Sequence, residues 1–270
     1  MTDTKPHAIR VRIDERAGGA RIAHVTIDNA RRLNSLNSAL MSEFVGSLEA
    51  LPHTVDGLRA VVLSGAGDKA FVGGADIDEM AALTSPDEAR AFITRVHRCC
   101  HAVRELPVPV IARLQGFTLG AGLELAAACD LRVAADTAQF GMPEVKLGIP
   151  SVVEAALLPG LVGWGRAREM LLLGENFGAA EALAWGMVER VAPADALDAV
   201  VEGWIASLLH TGAHAVRLQK QLIRRWEDLP MRDAVRAGID AFAAAWDSDE
   251  PARMMGEFQA GRKSRRAARD

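Results

Sequence analysis

The chain has 270 residues, of which 50% are apolar and 24% are charged, and its formal net charge is −4. This composition is typical of a folded globular protein, and the acidic balance argues against a nucleic-acid partner, which would require a basic surface. No apolar run approaches the roughly 20 residues that span a bilayer, so we expect no membrane partner. Three cysteines without a metal or disulfide spacing fit a reducing compartment, and we expect a cytoplasmic protein.

Strand and helix patterns alternate through the first part of the chain. The predicted strands are short apolar runs bounded by turn residues: Ile9–Ile13, Arg21–Ile27, Leu58–Leu63, Val108–Leu114 and Leu131–Ala135. The predicted helices are Ser38–Leu51, Pro86–Glu105 and Gly120–Ala128. Ser38 is expected to cap the first helix, Pro52 to end it, and Asp76 to cap a short helix after the turn-rich stretch 64–75. This alternation predicts an α/β layer architecture.

Helical patterns dominate from about Trp164 onwards. The predicted helices are Arg166–Leu173, Ala179–Trp185, Ala194–Leu209, Ala213–Trp226, Met231–Trp246 and Glu250–Gln259. Val188–Val191 is the single strand predicted in this region. We therefore divide the chain into an α/β core, residues 1–200, and an all-helical region, residues 201–270.

A glycine-rich segment opens the predicted helix at residue 120. Small residues such as Gly116 and Gly120 let a ligand approach the backbone closely, and the first amides of a helix have no intrahelical partner. Such a helix start favours negative charge, and Glu124 lies on its first turn. This segment alone is equally compatible with a ligand site and with a tight helix–strand contact.

Two further segments place small or acidic residues in turns. Gly73-Gly74-Ala75-Asp76 permits unusual backbone geometry before a capped helix, although by itself it is an ordinary loop. The second segment, Phe140-Gly141-Met142-Pro143-Glu144, carries another glutamate. Gly65-Ala66-Gly67 lacks the spacing of a dinucleotide site, and no G-x-S-x-G hydrolase elbow is present.

Together, these segments resemble the crotonase (enoyl-CoA hydratase/isomerase) family in order and spacing. The resemblance extends from residues 29–37 to the C-terminal helices. It implies that the backbone N–H groups of Ala75 and Ala121 form an oxyanion hole for a thioester, and that Glu124 and Glu144 are the acid–base residues. The implied fold is a crotonase-type ββα superhelix, whose C-terminal helices cover the site and form a homotrimer or a hexamer of two trimers.

The implied activity is that of an enoyl-CoA hydratase, a lyase of fatty acid metabolism. It adds water syn to a trans-2-enoyl-CoA and gives a 3-hydroxyacyl-CoA, with coenzyme A as part of the substrate and with neither metal nor cofactor. The presence of both glutamates favours hydration, because isomerases of this family can work with the second carboxylate alone. Δ3–Δ2 isomerisation, decarboxylation or thioester hydrolysis remains an alternative, as does a non-catalytic CoA- or RNA-binding relative.

The resemblance also implies contacts with the acyl-CoA. By position these fall on Arg31, Arg32, Leu33, Gly73, Asp76, Ile77, Gly120, Gly122, Phe258, Arg262 and Lys263. Gly261 stands where relatives often place a CoA-contacting lysine. For each of the four cationic residues, solvent exposure is the simpler interpretation.

The segment after Gly148 departs from the family pattern. Relatives often have Pro-Gly-x-Gly-Gly there, whereas Val153 and Glu154 replace the glycines in this chain. Glu154 is thus a candidate third carboxylate, although a solvated or salt-bridged helix start is the simpler interpretation. His97 and His101 lie four residues apart on a predicted helix, and without a third ligand they indicate a half-buried face rather than a metal site.

Overall fold

The computed structural model describes residues 7–267 and the side chains of residues 7–262. The chain divides into two compact units, Met1–Ile205 and Ala206–Asp270. The boundary predicted near residue 200 falls just before this division, which lies inside the helix Leu197–Leu209. None of the helices in the described part is both long enough and apolar enough to cross a membrane.

Two β-sheets form the framework of the first unit. In chain order the strands are β1 Ala8–Glu15, β2 Arg21–Asp28, β3 Leu58–Gly65, β4 Ala70–Val72, β5 Val110–Leu114, β6 Phe117–Leu119, β7 Leu131–Ala135, β8 Gln139–Gly141, β9 Phe177–Gly178 and β10 Arg190–Ala192. The large sheet has the order β1-β2-β3-β5-β7-β10 and the small sheet the order β4-β6-β8-β9. Only the pairs β1–β2 and β8–β9 are antiparallel among these described strands.

The chain passes repeatedly from the large sheet to the small sheet and then into a helix. The helices of this unit are α1 Ser38–Thr54, α2 Ile77–Ala81, α3 Pro86–Glu105, α4 Ala121–Ala128, α5 Leu158–Leu173, α6 Ala179–Trp185 and α7 Leu197–Leu209. Thus β3 and β4 precede α2, and β5 and β6 precede α4. The predicted α/β class and ββα winding are confirmed.

The second unit contains the helices α8 Ala213–Asp228, α9 Met231–Ala244 and α10 Glu250–Ala267. The carboxylate of Glu250 accepts the N–H groups of His214 and Ala215 at 3.2 and 2.9 Å, which holds the start of α8 beside α10. Large apolar side chains remain exposed along one side of α9 and just beyond it: Met231, Val235, Ile239, Phe242 and Trp246.

Several local predictions were wrong. The N-cap of α1 is Asn37, whose side chain accepts the Leu40 N–H at 2.8 Å, whereas Ser38 is the first helical residue. Pro52 lies inside α1 because it removes only its own N–H, and Val55 still donates to Leu51 across the last turn at 3.0 Å. The small sheet was missed entirely, because its strands have only two or three residues.

The buried side chain of Asn34 connects the loop after β2 to the small sheet. Its amide donates to the carbonyl oxygens of Ala66 and Ala70 at 2.9 and 2.8 Å, and its own oxygen accepts the Asn29 N–H at 2.9 Å. Asn34 has a φ of 57°, in the left-handed region that asparagine tolerates better than most residues. One side chain therefore determines the course of the 29–37 loop.

We predict that Asn34→Ala destabilises the protein by roughly 3 kcal/mol, because buried backbone groups lose their partners. Asn37→Ala, which removes only a helix cap, is the matched control and should cost about 1 kcal/mol. Urea unfolding of both variants measures the difference. Equal losses would contradict the role given to Asn34.

Candidate active site

Ala75, Ala121, Glu124 and Glu144 line one cavity of about 100 Å³ in the first unit. A second cavity of about 620 Å³ lies on the polar side of the large sheet, but ion pairs such as Arg113–Asp198, at 2.5 Å, occupy its lining. Volume alone therefore does not identify the site. The smaller cavity is the candidate because both glycine-rich segments and both glutamates meet there.

The Ala75 segment is held against the loop that follows β2. The Leu36 N–H donates to Gly74 and the Asp76 N–H donates to Leu36, each at 2.9 Å. The side chain of Asp76 then caps α2 by accepting the N–H groups of two following residues at 3.0 and 3.1 Å. Within residues 7–267 the N–H of Ala75 has no acceptor, so it is free to bind a ligand in the cavity.

The start of α4 provides the second amide. Gly120 has a φ of 51° and donates to the Gly141 carbonyl at 2.9 Å, so that Ala121 begins the helix with no acceptor for its N–H in the described chain. A Cβ on Gly122 would lie 2.1 Å from the Val72 oxygen. Glycine at residue 122 thus lets α4 pack directly on β4, which brings the two glycine-rich segments together.

Glu144 lies directly over Gly120. A Cβ at residue 120 would lie 2.4 Å from Glu144 Oε1 and would displace this flexible carboxyl, while the φ of 51° itself favours glycine. The Ser151 hydroxyl donates to Glu144 Oε2 at 2.7 Å. These contacts orient the carboxyl across the entrance to α4.

Glu124 is buried, with only 4% of its surface exposed. The Ala155 N–H donates to its Oε1 at 3.3 Å. Burial, the neighbouring charge of Glu144 and, more weakly, that of Glu154 raise the pKa of Glu124 to about 8, against the opposing effect of the Ala155 hydrogen bond. At neutral pH the free protein therefore keeps a proton on Glu124.

Glu154 is a buried neighbour of this pair rather than a solvated residue. Its Oε1 lies 2.8 Å from His97 Nδ1, and its side chain is 10% exposed. Of the two alternatives expected for Glu154, contact with a basic side chain agrees with the structure and solvation does not, because the residue lies under α3. Among the side chains of residues 7–262, no three His, Cys, Asp or Glu are arranged to hold a metal ion.

The residues expected to contact CoA are only partly brought together. Gly73, Ile77 and Gly120 line the cavity. Arg31 is exposed, as is Leu33, with 37% of its surface accessible. Arg32 is engaged by two carboxylates, those of Asp76 at 3.4 Å and Asp78.

The three C-terminal candidates lie on α10 of the second unit. Phe258 is 67% exposed, and the Arg262 guanidinium lies 5.9 Å from the centre of its ring. The side chain of Lys263 lies outside the described residues. Their role in binding CoA stays a prediction.

Several cavity residues were missed in the sequence. Ile93 and Val96 form an apolar wall from α3, and their spacing of three residues on one helix face was the available signal. Ser151 and the Ala155 N–H, which hold the two glutamates, carry no sequence signal, because serine is common in turns and every residue except proline has a backbone N–H. Only the fold reveals those contacts.

Known proteins resemble this chain over most of its length. A family model described as enoyl-CoA hydratase/isomerase matches residues 17–265. The chain belongs to this family. The predicted resemblance to the crotonases is confirmed.

Relatives match over most of their length. The chain is 36% identical to the short-chain-enoyl-CoA hydratase of Clostridium acetobutylicum, over 90% of this chain and 93% of the relative. It is 33% identical to the crotonyl-CoA hydratase of Syntrophomonas wolfei, over 90% and 94%. The crystal structure of enoyl-CoA hydratase from Bacillus anthracis matches with a TM-score of 0.86 at 30% identity, over 93% of this chain and 96% of that one.

The burial of Glu124 predicts a pH-dependent gain in stability for Glu124→Gln. The pKa of Glu124 is about 8 in the folded protein and 4.5 for the free group, so its contribution to stability is fully present below pH 4.5 and is lost as pH rises through 8. The stability of the variant relative to the parent should rise across this window by roughly 1.4 kcal/mol per pH unit and then level off.

Chemical unfolding from pH 4 to pH 9 measures this difference. Glu169→Gln, an exposed carboxylate paired with Arg166 at 2.6 Å, is the matched control and should show no such trend. A difference for Glu124→Gln that is flat with pH would contradict the raised pKa.

Proposed function

We propose that this protein is an enoyl-CoA hydratase, a hydro-lyase of fatty acid metabolism that adds water syn to a trans-2-enoyl-CoA and gives a 3-hydroxyacyl-CoA. One observation carries the proposal. Among the described residues, two backbone N–H groups without a hydrogen-bond acceptor, those of Ala75 and Ala121, line the same cavity as the carboxyl groups of Glu124 and Glu144. The hydratase names of the relatives in Clostridium and Syntrophomonas support it.

The amides of Ala75 and Ala121 would bind the thioester oxygen. Attack of water at Cβ pushes the π electrons towards that oxygen and forms an enolate, so the oxygen gains charge in the transition state. Two preorganised donors stabilise this charge more than the ground-state carbonyl, and the loss of one such donor typically costs roughly 3–4 kcal/mol. Neither N–H group donates to an acceptor among the described residues, so none of their hydrogen bonds has to break when the substrate binds.

Glu124 and Glu144 would move the two protons of the reaction. By family resemblance, Glu124 takes a proton from the attacking water while Glu144 gives one to Cα. This assignment requires the shared proton to lie on Glu144 in the complex, whereas burial places it on Glu124 in the free protein. One hydration leaves the proton from water on Glu124 and takes one from Glu144, and a proton transfer from Glu124 to Glu144 then restores the active form.

The rest of the assignment concerns the substrate's CoA portion and the assembly. The chemistry is acid–base, so we propose no metal or redox cofactor.

The proposed CoA contacts are Arg31 and, on α10, Phe258, Arg262 and Lys263. Arg32 is also a proposed contact, but it has to release the carboxylates of Asp76 and Asp78 before it can bind CoA. The exposed apolar side chains of α9 support assembly as a homotrimer or hexamer, and we propose a cytoplasmic location.

We expect Glu124→Gln and Glu144→Gln each to lower the kcat for hydration of crotonyl-CoA roughly 10²–10⁴-fold, because each removes one general acid–base group. Loss of the conjugated-thioester absorbance measures the rate, with trans-2-enoyl-CoAs of longer, branched and aromatic acyl groups tested in parallel. Glu169→Gln is the control and should keep parental activity.

Different outcomes separate the alternatives. Hydration that depends on Glu144 but not on Glu124 would favour a double-bond isomerase, for which a single carboxylate suffices. A parent protein that hydrates no member of the panel would overturn the proposal.

A further inference from the structure

A hydrogen-bonded pair, Glu154 and His97, lies beside the acid–base residues and has no part in the reaction described so far. Glu154 belongs to a 3₁₀ turn, Val153–Leu157, and its Oε1 meets His97 Nδ1 of α3 at 2.8 Å. The His97 side chain is 49% exposed, so the pair reaches from the protein surface to the interior. Glu154 does not line the cavity, and any effect on the reaction has to pass through other residues.

The backbone around Glu154 contacts Glu124 directly. The Ala155 N–H donates to Glu124 Oε1 at 3.3 Å while it also closes the turn through the Val152 carbonyl at 2.9 Å. The backbone of Val152 makes a second hydrogen-bonding contribution that lowers the pKa of Glu124. Glu154 thus stands between the two residues whose backbone holds the Glu124 carboxyl, and its own side chain extends towards α3.

This turn is strained. Val153 has a φ of 40°, which a β-branched residue adopts only at a cost in free energy. Such a conformation persists when surrounding contacts fix it, and strain of this kind clusters at functional sites. Glu154, the very next residue, hydrogen-bonds His97 of α3 and so connects the strained turn to that helix.

The second oxygen of Glu154 makes a purely structural explanation weaker. Oε2 is buried and has no hydrogen-bond partner among the described residues. A buried acceptor without a partner costs folding free energy, so an apolar contact with α3 would connect the two elements at lower cost. The carboxylate at this place is better explained by an effect on Glu124.

We propose that Glu154, held by His97, is a positioning residue for Glu124: the pair anchors the strained turn 152–155 to α3 and so fixes the backbone N–H that orients the Glu124 carboxyl. This inference rests on the proposed function, because orientation matters only if Glu124 takes part in the reaction. It adds a requirement for His97, an imidazole outside the cavity, to a site otherwise built from backbone amides and two glutamates.

The kinetic test compares variants that remove the hydrogen bond between Glu154 and His97 with variants that preserve it. Glu154→Ala and His97→Leu should each lower the kcat for crotonyl-CoA about 10–100-fold, because small misplacements of a catalytic group have effects of this size. KM should change less than about threefold, since the amides that would bind the thioester are untouched. The double variant should be no slower than either single variant, because both remove the same bond.

Conservative variants provide the rescue. His97→Asn keeps a donor near the position of Nδ1, and Glu154→Gln keeps an acceptor for it, so both should retain kcat within about threefold of the parent. His101→Leu is the matched control, since His101 lies one turn further along α3 and pairs instead with Glu105, at 4.0 Å. Unchanged kcat in Glu154→Ala and His97→Leu, additive losses, or a rise in KM alone would overturn the proposal.

A second measurement does not depend on activity. The pH-dependent gain in thermal midpoint on Glu124→Gln should grow in a His97→Leu background, because a carboxyl that loses the Ala155 hydrogen bond loses a contact that lowers its pKa. An unchanged or smaller gain would overturn the positioning role even if the parent hydrated no thioester. If the gain grows in an inactive parent, the positioning role holds and only the proposed function fails.

Discussion

The close packing of α4 on β4 is the contact on which the site depends. A Cβ at residue 122 would lie 2.1 Å from the Val72 carbonyl oxygen, a backbone atom, and Gly120 begins the helix with a φ of 51°. Two residues without side chains therefore place the Ala121 N–H and, one turn later, Glu124 beside the Ala75 segment on a single cavity. Steric exclusion sets this packing, and the electrostatics follow from it.

The consequence is a site that is costly to fold. Glu124 is held away from water beside the charge of Glu144, and Val153 is held in a left-handed conformation nearby. The surrounding hydrogen bonds offset these costs: Ser151 on Glu144, Ala155 on Glu124 and His97 on Glu154. Such a balance between local strain and compensating contacts is expected where acid–base groups must be preorganised.

The four residues that the family resemblance implies, Ala75, Ala121, Glu124 and Glu144, meet on one cavity, whereas some of the fold was not predicted. The resemblance depends on glycine-rich turns and two glutamates in a fixed order, which are local features of the sequence. The strands of the small sheet, such as Ala70–Val72, are too short for an alternating pattern and are defined only by their partners. The burial of Glu154 and its bond to His97 join residues 57 positions apart, and neither residue signals the other in sequence.

The central claim is that the amides of Ala75 and Ala121 together polarise a thioester carbonyl. Infrared difference spectroscopy of bound butyryl-CoA labelled with ¹³C at the carbonyl tests it directly, because this saturated thioester has no double bond to hydrate. The account predicts that the C=O stretching frequency falls on binding, below its value in water, since two preorganised donors weaken the bond more than solvent does. A bound thioester whose stretching frequency is the same as in water would contradict the claim.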